Sequence, residues 1–181
     1  MTTYVTRGRR AGMTGQGVRS AVYLHASRTM PGHNKEGAES VQGYNVLMIY
    51  SPGMDRLLMC TRRRDPYKGL RNLVGGKIEI GEAGLDAAYR ELREETGITR
   101  EDVALHHLMD FRYSLQQCYV EVYVGRLRSA VAVSGDENAL YWSRLDDDFF
   151  DLSRYAGEGD IGHMVEQVRL CRDRLLADDR P

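Results

Sequence analysis

Apolar residues fall in runs whose period changes along the chain. Tyr44 to Tyr50, YNVLMIY, is almost continuously apolar, the pattern of a strand buried on both faces. Ser51-Pro52-Gly53 breaks it, and Arg56 to Arg62 is strand-like again, so the short connection predicts an antiparallel hairpin. Further on, Leu85, Ala88, Tyr89 and Leu92 recur at i, i+3, i+4 and i+7, which predicts a helix with that face buried and Gly97 as its C-terminal cap. Val103 to Tyr113 and the alternating Cys118 to Leu127 predict a second strand pair, and Ala139 to Leu145 one more strand. Residues 160 to 177 place Ile161, Met164, Val165, Val168, Cys171, Leu175 and Leu176 on one side, predicting an amphipathic helix packed on the sheet.

Residues 1 to 43 keep no sustained period. Arg7, Arg9, Arg10, Arg19 and Arg28 precede the first acid, Glu36, among scattered glycines, so this is read as a basic, loosely ordered leader outside the core. Val18 to Ala26 is its one candidate for a short strand. An Arg-bearing, acid-poor start is also the composition of an organelle transit segment; a loose tail, or a chain that begins at Met30, are the plainer readings. The expected organisation is therefore leader 1–43, one domain over 44–177, and a tail over 178–181.

Composition changes this picture little. The chain has 181 residues, 42% hydrophobic and 28% charged, enough for one domain with a proper core. A net charge of −1 gives no attraction to polymeric nucleic acid or to a membrane, and no apolar run is long enough to span a bilayer. Cys60, Cys118 and Cys171 are far apart and odd in number, read as buried free thiols in a reducing compartment, which points to the cytoplasm. His106-His107 alone does not make a zinc site. Monomer and homodimer both stay open.

The chemistry concentrates on the predicted helix. Glu91, Glu94 and Glu95 stand at i, i+3 and i+4, so three carboxylates face one way with Arg90 and Arg93 interleaved. Like charges so placed repel unless a cation sits among them, and all-oxygen ligands suit Mg²⁺ or Mn²⁺. Arg90 lies at i, i+4 from Glu94, placed to orient the carboxylates. Upstream, Arg62, Arg63, Arg64, Lys68, Arg71 and Lys77 form a cationic approach that suits a substrate with several phosphates.

Gly76, Glu82, Arg90-Glu91-Leu92, Glu94-Glu95 and Gly97-Ile98 have the spacing of the Nudix hydrolase signature, and the chain resembles that superfamily over this segment. The resemblance implies an α+β fold, an α/β/α sandwich with a mixed sheet, the motif helix on one side and the C-terminal helix on the other. It also implies divalent-metal-dependent hydrolysis of a nucleoside diphosphate linked to another group. Metal ligation is then expected from Glu91, Glu94, Glu95 and the Gly76 carbonyl, with Glu82 binding directly or through water. Glu95 is the first candidate for general base, and Glu137, in the loop ahead of Trp142, the second.

For the small-molecule nucleotide substrate, the resemblance favours the branch that clears oxidised purine nucleoside triphosphates, such as 8-oxo-dGTP. Asn72, four residues before Gly76, matches that branch's base-contacting asparagine, and Glu158 and Asp160 occupy the region of its acidic purine readers. Arg62, Arg64, Lys68 and Lys77 are expected on the phosphates. Tyr113 points instead to dinucleoside polyphosphates, unless it is packing, and ADP-ribose or other sugar nucleotides stay open. A non-catalytic nucleotide-sensing domain is the alternative of another class, disfavoured because every motif glutamate is present.

Overall fold

The computed structural model describes residues 41–176. The leader up to residue 40, its candidate strand at Val18 to Ala26, and the tail at 178–181 lie outside the described residues. The first strand, β1, spans Gln42–Tyr50 and so begins inside the expected leader. β2 (Arg56–Thr61), the short β3 (Arg71–Asn72) and helix α1 (Gly84–Thr96) follow. Then come β4 (His106–Tyr113), a 3-10 turn (Ser114–Gln116), β5 (Cys118–Arg126), β6 (Ala139–Arg144) and helix α2 (Asp160–Leu175).

The strands form one six-stranded mixed sheet in the order β3-β2-β1-β5-β4, with β6 on β2. β1 and β5 run parallel from Gln42↔Cys118 to Tyr50↔Arg126, and β4 and β5 form the expected antiparallel pair. β1 and β2 make the predicted hairpin but pair only at Tyr50↔Leu57. There they diverge, and the segment after β3 enters the gap. Leu47 N–H donates to Val74 O at 2.9 Å, Asn45 N–H to Gly76 O at 2.8 Å, and Ile78 N–H to Gly43 O at 2.9 Å.

Alternation along the strands gives each face of the sheet its own core. Leu47, Ile49, Leu58 and Cys60 pack with Ala88 and Leu92 of α1. Met48, Tyr50, Leu57 and Met59 pack with Ile161, Met164, Val165 and Val168 of α2. The result is a sheet between two helices, the α+β sandwich that the resemblance implies. Among the described residues no helix is long and apolar enough to cross a membrane.

Two expectations need correction. Leu85 is 38% exposed and Ala87 is buried in its place. Gly84 sits so close to β5 that a Cβ there would overlap the Glu121 carboxylate, so the seam runs through Gly84, Ala87 and Ala88 and turns Leu85 outward. All three cysteines are free, but only Cys60 and Cys118 are buried; Cys171 is half-exposed on α2, its thiol donating to Gln167 O at 2.9 Å.

Arg71, grouped by sequence with the basic approach, has a different task. Its Nη1 donates to Asp147 Oδ2 at 3.0 Å and its guanidinium lies over the rings of Tyr141 and Tyr155. Arg154 donates to both Asp147 oxygens and Tyr155 Oη to one of them, at 2.6 to 2.7 Å. Backbone bonds Arg71 N to Arg154 O and Ala156 N to Arg71 O, both 2.9 Å, continue the tie. β3 is thereby fastened to the segment that delivers the start of α2. The bonds from Arg154 and Tyr155 hold the Asp147 carboxyl well below the usual carboxylate range. A depressed native pKa stabilises above the unfolded value of about 3.9, and that stability disappears as pH falls through the native pKa. Asp147→Asn should therefore lower unfolding free energy by about 1–3 kcal/mol at pH 7. In denaturant titrations the difference from wild type should shrink progressively below about pH 4.

Candidate active site

The glutamates of α1 meet a cleft of about 440 Å³ that runs past the strip after β3 toward the start of α2. At one end Glu91, Glu95, Glu137 and Gly76 line it; at the other are Tyr44, Phe111, Tyr113, Asp160 and Met164, with Arg62, Asn72 and Lys77 also on its walls. It is thus acidic at one end and largely apolar at the other.

Local structure explains the acidic end. Gly76 permits close packing, since a Cβ there would overlap the Glu91 carboxylate. Gly75, at φ 138°, donates its N–H to Glu95 Oε2 at 2.8 Å. Asn45 clasps Gly76 from the other side: its Oδ1 accepts Gly76 N–H at 3.2 Å while its own N–H donates to Gly76 O. One lone pair of that carbonyl is thus committed to β1. The Asn45 Nδ2 donor is buried without a protein partner. Glu137 arrives on the loop before β6, which Arg63 ties to β2 through its N–H to Asn138 Oδ1 at 3.1 Å and Nη1 to Asp136 O at 2.8 Å.

Arg90 uses its whole fork on the carboxylates. Nε and Nη2 each donate to Glu82 at 2.9 Å, Nη1 to Glu91 Oε1 at 2.7 Å and Glu94 Oε2 at 3.3 Å, and Nη2 also to Lys77 O at 3.0 Å. Bonds to Arg90 hold the Glu82 carboxyl below its ordinary value. Burial pushes Glu91 up despite Arg90. Glu95 lacks that partner; burial, opposed by the Gly75 N–H and helped by the neighbouring Glu137 and Glu91, takes it to about 7.

The two ends of the cleft do not gather every expected residue. Glu82 and Glu94 stand outside its lining on the Arg90 side, Glu94 with 53% of its side chain exposed. Arg64 and Lys68 are exposed on the loop between β2 and β3 and do not line the cleft, although Tyr67 between them does. Glu158 is at the rim, where its carboxylate accepts Tyr67 Oη at 2.9 and 3.1 Å. Asp160 is inside, accepting Tyr113 Oη at 2.6 Å. Tyr113, whose sequence reading is open between packing and a ligand contact, therefore faces the cleft. Asn45 and Tyr67 went unremarked in the sequence. Asn45 had a signal, a lone amide in an apolar run; Tyr67 had none, since its position depends on Glu158 far along the chain.

The donor chemistry fits a hard divalent ion: Glu91, Glu95 and Glu137 crowd like charges on one wall beside a backbone carbonyl. As they stand, the carboxylates are turned to Arg90 and to backbone, and among the described residues no three His, Cys, Asp or Glu side chains converge on one point.

An acidic helix beside a nucleotide-sized cleft, on a mixed sheet between two helices, defines an α/β/α sandwich with a polar site at the edge of β1. The chain belongs to the NUDIX domain family, whose model matches residues 41–154. An ADP-ribose pyrophosphatase of Methanocaldococcus jannaschii is 41% identical over 44 residues, a match spanning 24% of this chain and 26% of that protein. Among solved structures, the NUDIX domain of Shewanella oneidensis NrtR complexed with ADP ribose superposes with TM-score 0.60 at 19% identity, covering 74% of this chain and 89% of that one. A C. elegans Ap4A hydrolase gives 0.59 at 22%, covering 72% and 96%. A MutT NUDIX hydrolase from Burkholderia pseudomallei gives 0.54 at 27%, covering 70% and 97%.

The paired glycines are expected to respond differently to a methyl group. At Gly75 it would strike the Asn45 backbone carbonyl at a φ that side chains rarely adopt, whereas at Gly76 it would meet only the end of the Glu91 side chain. Gly75→Ala should lower stability by about 2–4 kcal/mol and Gly76→Ala by about 1 kcal/mol or less, as measured by thermal or urea unfolding.

Proposed function

We propose that this chain is a divalent-metal-dependent pyrophosphohydrolase that cleaves a purine nucleoside triphosphate to the monophosphate and pyrophosphate. The observation that carries the reading is the polarity of this cleft, with carboxylates of α1 at one end and an aromatic recess holding one carboxylate, Asp160, at the other. A nucleotide has matching ends.

Glu91, Glu94, Glu95 and the Gly76 carbonyl would hold Mg²⁺ or Mn²⁺, with Glu82 and Glu137 beside them. Such an ion neutralises phosphate oxygens and acidifies water. Arg90 keeps Glu82, Glu91 and Glu94 in register, and its own charge limits their mutual repulsion. Arg62 and Lys77 take up the remaining phosphate charge. Glu95, on the cleft wall and held by the Gly75 N–H, accepts the proton of the attacking water; Glu137, facing it, is the second candidate. Asn72 contacts the base. Free Cys60, Cys118 and Cys171 suit a reducing compartment, and we assign the protein to the cytoplasm.

A second reading, ADP-ribose as substrate, is favoured by the Methanocaldococcus relative and by the ligand of the Shewanella domain. Comparing kcat/KM for 8-oxo-dGTP, ordinary dNTPs, ADP-ribose and Ap4A with Mg²⁺ separates the readings. Preference for ADP-ribose sinks the triphosphate assignment. Release of neither pyrophosphate nor phosphate from any of them sinks the enzyme reading and leaves a nucleotide-binding module. On the preferred substrate, Glu95→Gln should lower kcat by about 10²–10⁴-fold. Glu94→Gln should raise the Mg²⁺ concentration needed for half-maximal rate.

A further inference from the structure

We infer that Tyr113 is a positioning residue that sets base selectivity, by fixing Asp160 with one carboxylate oxygen committed and the other open to an N–H of the bound base. The inference rests on the purine reading above and names the residue that would enforce it.

Tyr113 is the last residue of β4 and Asp160 the first of α2. Tyr113 Oη donates to Asp160 Oδ2 at 2.6 Å, and both residues line the recess. The phenol ring is itself held: it stacks on Phe111 with centroids 6.4 Å apart, and Phe111 meets His163 of α2 edge-on at 6.3 Å. The carboxylate is fixed from its backbone as well. Gly157, Glu158 and Gly159 take successive positive φ values of 78°, 49° and 100°, and Asp160 N–H closes the turn on Gly157 O at 2.7 Å. Such a run of left-handed residues gives α2 a sharp entry and presents its first side chain to the recess.

Asn72 on the cleft wall and Asp160 in the recess offer a ligand one donor and one acceptor. Asn72 Oδ1 accepts the N–H of Leu73 at 2.9 Å, which leaves its Nδ2 as the group offered to a ligand. Asp160 offers Oδ1, which in the carboxylate accepts and cannot donate. A donor paired with an acceptor matches a carbonyl next to a ring N–H, as in the guanine or 8-oxoguanine edge. Adenine presents an exocyclic N–H beside a ring acceptor, the reverse order, so a donor and an acceptor held in fixed directions fit it less well. Without the phenol, Asp160 could rotate and its open oxygen would lose its fixed direction.

The same bond also staples β4 to α2, so the test must separate a staple from a reader. Tyr113→Phe keeps the ring and removes the donor; Asp160→Asn keeps an oxygen for the phenol, and hence the staple, but can present an N–H donor where the open acceptor was. Steady-state kinetics with 8-oxo-dGTP, dGTP and dATP, alongside thermal melts, read the difference. Tyr113→Phe should raise KM for the oxo-purines about 10-fold, with a much smaller change in kcat, and collapse their preference over dATP. Asp160→Asn should melt within a few degrees of wild type yet lose or reverse that preference. A wild-type preference that survives unchanged in either variant overturns this inference alone. A wild type that treats all bases alike overturns it together with the purine reading.

Discussion

The strip from Val74 to Ile78 hydrogen-bonds to β1 where β2 peels away, and the candidate site depends on that substitution of one neighbour for another. A buried strand must have its backbone groups paired. β1 therefore accepts whatever segment fills the gap, and that segment carries the two glycines. Gly76 lacks a Cβ where one would overlap the Glu91 carboxylate, and Gly75 offers its N–H to Glu95, so both carboxylates of α1 lie against the strip. A methyl at Gly76 would displace the end of Glu91, whereas one at Gly75 would strike the Asn45 backbone of β1.

Electrostatics then decides how a helix face with this many acids remains folded. Arg90 gathers Glu82, Glu91 and Glu94 by a fork of planar donors, a geometry that a lysine ammonium cannot supply. Glu95 lies beyond that fork, buried beside Glu137 and Glu91, with Arg62 as a nearby countercharge. The protein's own cations offset the rim of the site more fully than its centre, and the centre is where a divalent ion would relieve the repulsion.

Much of this was legible in sequence because it is local. The spacing of Glu91, Glu94 and Glu95, the Gly97 cap and the period of α2 all follow from helix geometry, and all three appear. Contacts between distant segments were not legible. Arg71 looked like a phosphate ligand and instead joins Asp147, Tyr141 and Tyr155. Arg64 and Lys68 also read as phosphate ligands but are exposed outside the cleft lining. Leu85 fitted the helical period, yet the close approach of Gly84 to Glu121 rotated the seam by part of a turn. For Arg71 the short strand β3 was itself missed, and for Arg71 and Leu85 alike the direction of the side chain was settled by a neighbour that the pattern does not contain.

The alternation of β1 shows how two chemistries share one cleft. Val46, Met48 and Tyr50 join the core under α2, whereas Leu47 and Ile49 join the core under α1. Asn45 has the parity of the second set and clasps Gly76; Tyr44 has that of the first and lines the recess with Phe111 and Tyr113. Successive residues of a single strand thus serve opposite ends of one cleft. The strand is rigid and parallel to β5 along its whole length, so the distance between the two ends is set by the sheet. The span from the carboxylates of α1 to the aromatic recess around Tyr113 and Asp160 is therefore a property of the fold.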